Sequence, residues 1–177
     1  IFTANLRAKD MQGSDTAIFV GICNNDYDVV LRENVMSLSI QGNAAEQISK
    51  SVGTIAFSTY AFASNRVSHM FGMMGASISL DCASASGLVA VHMATLECQN
   101  KKLHVNEDNL QFQFSSSIAA SVNLILHSQL TDLHTARKMF PRDGRCKTFD
   151  SRADGFERGE GAGSIFLQRV CMQSKNI

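Results

Sequence analysis

The stretch Gly75–His92 (GASISLDCASASGLVAVH) holds the residues whose types and spacing are best suited to chemistry. A buried-strand pattern ends at Asp81, small residues follow, and an apolar helical pattern begins. A strand-to-helix turn presents side chains at a helix N-terminus. Free backbone N–H groups and the positive end of the helix dipole stabilise a thiolate or an oxyanion there. Small neighbours allow a substrate to come close. A plainer role competes: Ser84 or Ser86 caps the helix. On local pattern alone capping is the better reading, because serine caps are common.

Other reactive side chains carry less. The carboxylates Asp150, Asp154, Glu157 and Glu160 lie beside Arg142, Arg145, Arg152 and Arg158. A glycosidase-type acid pair is one reading. A salt-bridged loop is the better one. Gly159-Glu160-Gly161-Ala162-Gly163 invites comparison with a dinucleotide loop. It precedes a strand instead of leading from one into a helix, so it fails that motif's context. Its glycines are expected to permit tight turns where a long loop enters a buried strand. The histidines are His69, His92, His104, His127 and His134. His92 is expected to pack on its helix, and His127 and His134 to flank or cap a short one. Their seven-residue spacing lacks a supporting Cys or carboxylate set for a metal. Met70, Met73 and Met74, with Phe71, are expected to be core or dimer-surface packing.

The elements that must position these residues alternate. Thr16–Ile22 (TAIFVGI) is predicted as a buried strand, short, apolar and partly β-branched. Cys23–Tyr27 follows as a polar loop. Asn43–Met74 is predicted to be mostly helical, interrupted at Gly53. Ser77–Leu80 is a short strand and Ser84–Cys98 an apolar helix. Lys101–Asn109 is a polar loop, and Gln111–Leu126 contains at least one strand. Thr131–Met139 is a short helix, Pro141–Gly163 a long polar segment, and Ser164–Gln168 a closing strand. Strands alternating with helices give an α/β class with a largely buried sheet.

Composition narrows the function classes. Of the 177 residues 45% are apolar, enough for a sizeable core. Only 18% are charged, below the roughly 25% usual in soluble domains, so some surface is expected to be covered by a partner, a second copy or further chain. Sixteen cations cancel sixteen carboxylates, which speaks against nucleic-acid binding and against a basic membrane-surface patch. No apolar run approaches the roughly 20 residues of a membrane span. No signal peptide opens the chain, and its first residue is Ile, which reads as an excised or processed piece. Cys23, Cys82, Cys98, Cys146 and Cys171 are odd in number and form no CxxC pair. Reduced thiols in an intracellular compartment, cytoplasmic or organellar, are therefore expected.

Three blocks, Gly13–Tyr27, Ser58–Ala94 and Asp143–Arg169 (DGRCKTFDSRADGFERGEGAGSIFLQR), resemble the β-ketoacyl synthase domain of modular polyketide synthases and related fatty-acid synthases. Val122–Leu126 fits between them in order, and only Lys101–Ser117 fits poorly. The resemblance implies a thiolase-like fold, layered α/β/α/β/α and built from two similar halves, usually homodimeric. Residues 1–177 would be the first half. It also implies a chemistry: an acyl group passes from an acyl carrier protein to an active-site cysteine. A malonyl-type extender is then decarboxylated and joined to it in a Claisen condensation. Covalent storage divides one hard step into easier ones. No metal or bound organic cofactor is implied. The substrate arrives on the phosphopantetheine arm of the carrier protein.

Two departures bear on the activity. The family motif reads Asp-Thr-Ala-Cys-Ser-Ser-Ser-Leu, and here Asp81-Cys82-Ala83-Ser84-Ala85-Ser86-Gly87-Leu88 stands in register. The resemblance thus places Ser84 at the nucleophile position and Cys82 at the usual threonine. A thiol has a pKa of roughly 8.5 and a hydroxyl's is far higher. A helix dipole supplies only about 0.3–2 kcal/mol, too little to ionise serine, which needs a general base. Cys82 is the lesser alternative nucleophile, expected at the strand end and pointing away from the helix tip. The second departure is the family's two catalytic histidines, whose motifs do not occur in these residues. The piece alone is expected to be inactive and poorly soluble.

Overall fold

In a computed structural model the structure describes residues 7–40, 59–100 and 116–169. Their elements, in chain order, are α1 (Ala8–Met11), β1 (Ala17–Gly21), α2 (Asp26–Ile40), α3 (Ala61–Phe71), β2 (Ser77–Leu80), α4 (Ser86–Asn100), β3 (Ser116–Asn123), α5 (Gln129–Ala136) and β4 (Gly161–Gln168). They divide into two compact units. One takes the described residues of 7–23, 59–122 and 162–169, the other those of 24–40 and 123–161.

The first unit is built on β1. All five residues of AIFVG are buried, as a continuous apolar run must be in a sheet covered on both faces. β1 pairs in parallel with β2 on one side (Val20 beside Ser79) and with β3 on the other (Val20 beside Ala120). The order is β2-β1-β3-β4. Alternation along β1 sorts its side chains to two cores. Ile18 and Val20 join Met11, Met73 and Ile118, with Ala63, Val67 and Phe71 of the α3 side packed against them. Ala17 and Phe19 join Ala119 and Ala90 and Ala94 of α4. A sheet in which β2, β1 and β3 run parallel, with helices on both faces, is the α/β class expected, but it is fully buried only along β1: β2 is half-buried and β4 mostly exposed.

The strands at Thr16–Ile22 and Ser77–Leu80 and the helix after Ser84 stand as expected to within two residues. The expected strand in Gln111–Leu126 is β3. The helix at Thr131–Met139 is α5, which ends sooner because Lys138 turns left-handed (φ 55). Three expectations are corrected. Cys23–Tyr27 is not all loop, because α2 starts at Asp26. The glycines of 159–163 make no left-handed turn, since the positive-φ glycines are Gly13, Gly72, Gly144 and Gly155. β4 already begins at Gly161. The methionines separate: Met73 is buried, whereas Met70 and Met74 are 77% and 76% exposed. The expected helical stretch 43–58, the loop 101–109, His104 and Cys171 lie outside the described residues.

The second unit is held by a buried polar pair and an aromatic triangle. Asp26 is buried and accepts the N–H groups of Leu126 (3.2 Å) and His127 (3.4 Å). Arg158 donates to the Thr131 hydroxyl at 2.9 Å and stands 3.9 Å from Asp26. The rings of His134, Phe140 and Phe156 meet edge to face at 5.6–5.8 Å. No described helix is long and apolar enough to cross a membrane.

Candidate functional site

The candidate site is the turn that joins β2 to α4, at the carboxyl ends of the parallel strands, where open α/β sheets bind their ligands. Asp81 accepts the N–H of Ala83 (3.0 Å), which draws the chain into a tight bend. Ala83 takes a left-handed conformation (φ 51). Such a φ in a residue with a Cβ costs about 1–2 kcal/mol and marks a position fixed by its surroundings. Ser86 supplies that fixing. Its hydroxyl donates to the Ala83 carbonyl (2.6 Å) and accepts from the Cys82 N–H (2.9 Å), and the residue is 3% exposed.

The two serines are therefore held differently. Ser86 closes the turn. Ser84 stands exposed two residues before the first helical residue, and none of the described residues bonds its hydroxyl. Cys82 is also exposed.

Small residues set the position of this turn. A Cβ on Gly21 would overlap the Ser86 carbonyl, so only glycine lets the start of α4 approach the end of β1 so closely. A Cβ on Gly87 would come within 3.2 Å of the Ser121 side chain, whose hydroxyl donates to the Gly21 carbonyl at 2.8 Å. The ends of β1 and β3 and the first turn of α4 are thus one tightly fitted block.

The other sequence candidates lie elsewhere. In the 143–160 segment Lys147 binds Asp154 (2.6 Å) and Asp143 (3.0 Å), and Arg152 binds Asp150 (2.7 Å). The Lys147 ammonium holds the Asp154 carboxyl below the usual carboxylate range, and Arg152 does the same to Asp150. Both groups stay ionised near neutrality, which suits a brace and not a general acid. Glu160 accepts the Ile125 N–H (2.7 Å). The salt-bridged loop is therefore present, with Lys147, which sequence reasoning passed over, as a principal cation. His127 flanks α5 as expected: its Nδ1 accepts the Gln129 N–H (3.1 Å) and its Nε2 meets Glu33 (3.1 Å). His92 is exposed on α4. Among the described residues no three His, Cys, Asp or Glu side chains are grouped to hold a metal.

A family profile described as Beta-ketoacyl synthase, N-terminal domain, matches residues 2–171. The chain belongs to the β-ketoacyl synthase family. Relatives are synthases for polyketides. The polyketide synthase component of lovastatin nonaketide synthase from Aspergillus terreus is 33% identical over 173 residues, covering 96% of this chain and 5% of that protein. The 6-methylsalicylic acid synthase of Aspergillus niger is 32% identical over 167 residues, covering 94% and 8%. Among solved structures, the ketosynthase from module 6 of the bacillaene synthase of Bacillus subtilis 168 superposes with a TM-score of 0.70 at 25% identity. That match covers 94% of this chain and 24% of the other. This ketosynthase segment thus has the thiolase-like fold of those domains and spans about a quarter of the solved one.

Proposed function

We propose that the whole protein is a β-ketoacyl-[acyl-carrier-protein] synthase of the polyketide type, in which Ser84 occupies the acyl-accepting position. One observation carries the reading. The Ser86 hydroxyl is engaged in two bonds within the turn, and Ser84 is left exposed at the carboxyl ends of the strands. In the first step the Ser84 oxygen would attack the thioester carbonyl of a carrier-bound acyl group. A C–O bond forms, the C–S bond breaks, and the serine proton leaves with the carrier's thiolate. In the second step a malonyl-type extender loses carbon dioxide. Its carbanion attacks the stored acyl carbonyl, forming the C–C bond and releasing the Ser84 oxygen. Carrier protein with its phosphopantetheine arm, acyl and malonyl thioesters, a second copy of the chain as homodimer partner, and an intracellular site of action belong to this reading. Cys82 is the alternative nucleophile within it.

A second reading has a specific observation in its favour. None of the described residues bonds the Ser84 hydroxyl as a base, and serine is a poor nucleophile without one. A domain that decarboxylates extenders, or only docks them, would need no acyl-serine.

Intact mass of the full-length protein after incubation with an acyl-carrier thioester separates the two. An acyl adduct mapped to Ser84 supports the condensing synthase, and an adduct on Cys82 relocates the nucleophile. No adduct, together with one gained on Ser84→Cys, selects the decarboxylating or docking domain.

A further inference from the structure

The fold brings a second thiol up to Cys82. β1 and β2 run parallel with Gly21 beside Leu80. Beyond that rung the Ile22 N–H donates to the Leu80 carbonyl at 3.0 Å, the same step that the Ile18 N–H makes to Ala76 at 2.7 Å. The register therefore sets Ile22 beside Asp81. The next residue of each strand is a cysteine, Cys23 beside Cys82. Alternation sends both to one face of the sheet. Ile22 still packs with Ile18 and Val20, so Cys23 falls to the Phe19 side. Leu80 packs in the Phe19 cluster, and Cys82 follows two residues later. Neighbouring strands lie about 4.7–4.9 Å apart, and a disulfide joins residues whose Cα atoms are about 4.4–6.8 Å apart.

Both strand ends are held in place. The Cys23 carbonyl accepts the Tyr60 hydroxyl (3.2 Å), and the Cys82 N–H donates to the Ser86 hydroxyl (2.9 Å). Little ordering is left for the two thiols to meet. Both can be reached from solvent, since Cys82 is exposed and Cys23 half-buried. The other described thiols are placed differently. Cys98 is buried and bonded to the Ser117 hydroxyl (3.3 Å). Cys146 belongs to the second unit, where its sulfur accepts the Glu157 N–H (3.2 Å).

We propose that Cys23 and Cys82 are a redox pair that closes to a reversible disulfide under a hydroperoxide. The Cys82 sulfur attacks one oxygen of hydrogen peroxide. The O–O bond breaks, Cys82 becomes a sulfenic acid, and one water leaves. The Cys23 sulfur then attacks the Cys82 sulfur. The S–S bond forms, the S–O bond breaks, and a second water leaves with the Cys23 proton. Two thiols have lost two electrons and two protons, and the peroxide has become two waters. The bridge fastens the end of β1 to the residue two before Ser84, where the chain enters the turn. An exposed bridge belongs to the labile, regulatory class and not to the structural one, so a thiol reductant reopens it.

The test treats the native full-length protein with a small excess of hydrogen peroxide, followed by alkylation, digestion without reductant and peptide mass. The expected product is the Cys23 peptide joined to the Cys82 peptide, two hydrogens lighter than the separate thiols and released by dithiothreitol. In Cys23→Ser the resolving thiol is gone, so dimedone should trap a sulfenic acid on Cys82 several-fold more than in wild type. In the chain unfolded in guanidinium the same oxidation should scatter Cys82 among the other cysteines. The proposal is overturned if both thiols of native wild type remain alkylatable after peroxide. It is equally overturned if oxidation stops at Cys82 with Cys23 still free, or joins Cys82 to another cysteine. The readout is a disulfide mass with no acyl group in it, so the pair stands or falls separately from the synthase reading.

Discussion

Ser84 and Ser86 are two residues apart, share a side chain, and should answer substitution in opposite ways. Removing the Ser86 hydroxyl breaks its bonds to Ala83 and Cys82 and takes one restraint from the left-handed Ala83. Ser86→Ala in the full-length protein should cost about 1–2 kcal/mol in denaturant unfolding. Ser84→Ala should shift stability by less than about 0.5 kcal/mol, as an exposed change with no partner does. It should also abolish any acyl adduct at that position. Equal losses of stability in the two variants would refute this division of labour. Sequence could not assign the roles, because both serines precede the same apolar helical pattern. The assignment follows from where the chain bends, which Asp81 and Ala83 set. The register with the family motif singles out Ser84, and the geometry adds that the Ser86 hydroxyl is engaged within the turn.

At the scale of elements, β1 and α4 are legible and their fit is not. AIFVG reads as a buried strand because nothing in it is polar, and GLVAVHMA reads as a helix by length and composition. That Gly21 exists to admit the Ser86 backbone needs both in place. Gly21→Ala should therefore destabilise by about 1–3 kcal/mol or more, since the opposing atoms are backbone and cannot rotate away. Ala at the exposed Gly159, where an added Cβ meets nothing within 4 Å, should be close to neutral by the same unfolding measurement. α2 was missed because DYDVVLRENVMSLSI shows no clear apolar stripe and begins in what reads as a polar loop.

The brace in the 143–160 segment adds a pH dependence at this scale. Asp150 and Asp154 are held below their ordinary range by Arg152 and Lys147. Their contribution is fully present above the unfolded carboxyl value of about 3.9 and is lost as pH falls through the lower folded values. Hydrogen exchange at the Arg142 amide, whose acceptor is Asp154, should accelerate relative to neighbouring amides on acidification through that window. In Asp154→Asn it should already be fast at neutral pH. An Arg142 amide equally protected in the variant would remove Asp154 from the brace.

For the whole molecule the deciding feature is that apolar residues reach the exposed side of α4, beside polar ones such as His92. Its Ser86, Ala90, Ala94 and Cys98 side is buried. Elsewhere on its surface Leu88 is 75% exposed, with Val91 and Met93 only partly covered. Large apolar side chains on the outer side of a helix call for a second covering layer, and among the described residues none covers Leu88. Met70, Met74 and Ile78 in the same unit are exposed as well. Contiguous exposed apolar surface on a soluble chain marks a covered interface or an aggregation site, and the 18% charged fraction does little to oppose association. These 177 residues in isolation should therefore bind 8-anilinonaphthalene-1-sulfonate and associate with rising concentration in sedimentation velocity. Leu88→Lys should reduce both in the isolated chain. In a full-length protein whose second half covers α4, as the two-half architecture expects, the same substitution should bury a lysine and lower the unfolding temperature. A monomeric, dye-silent isolated chain with a single cooperative transition would mean that the apolar face of α4 needs no second layer. The two-half architecture would then describe the relatives and not this protein.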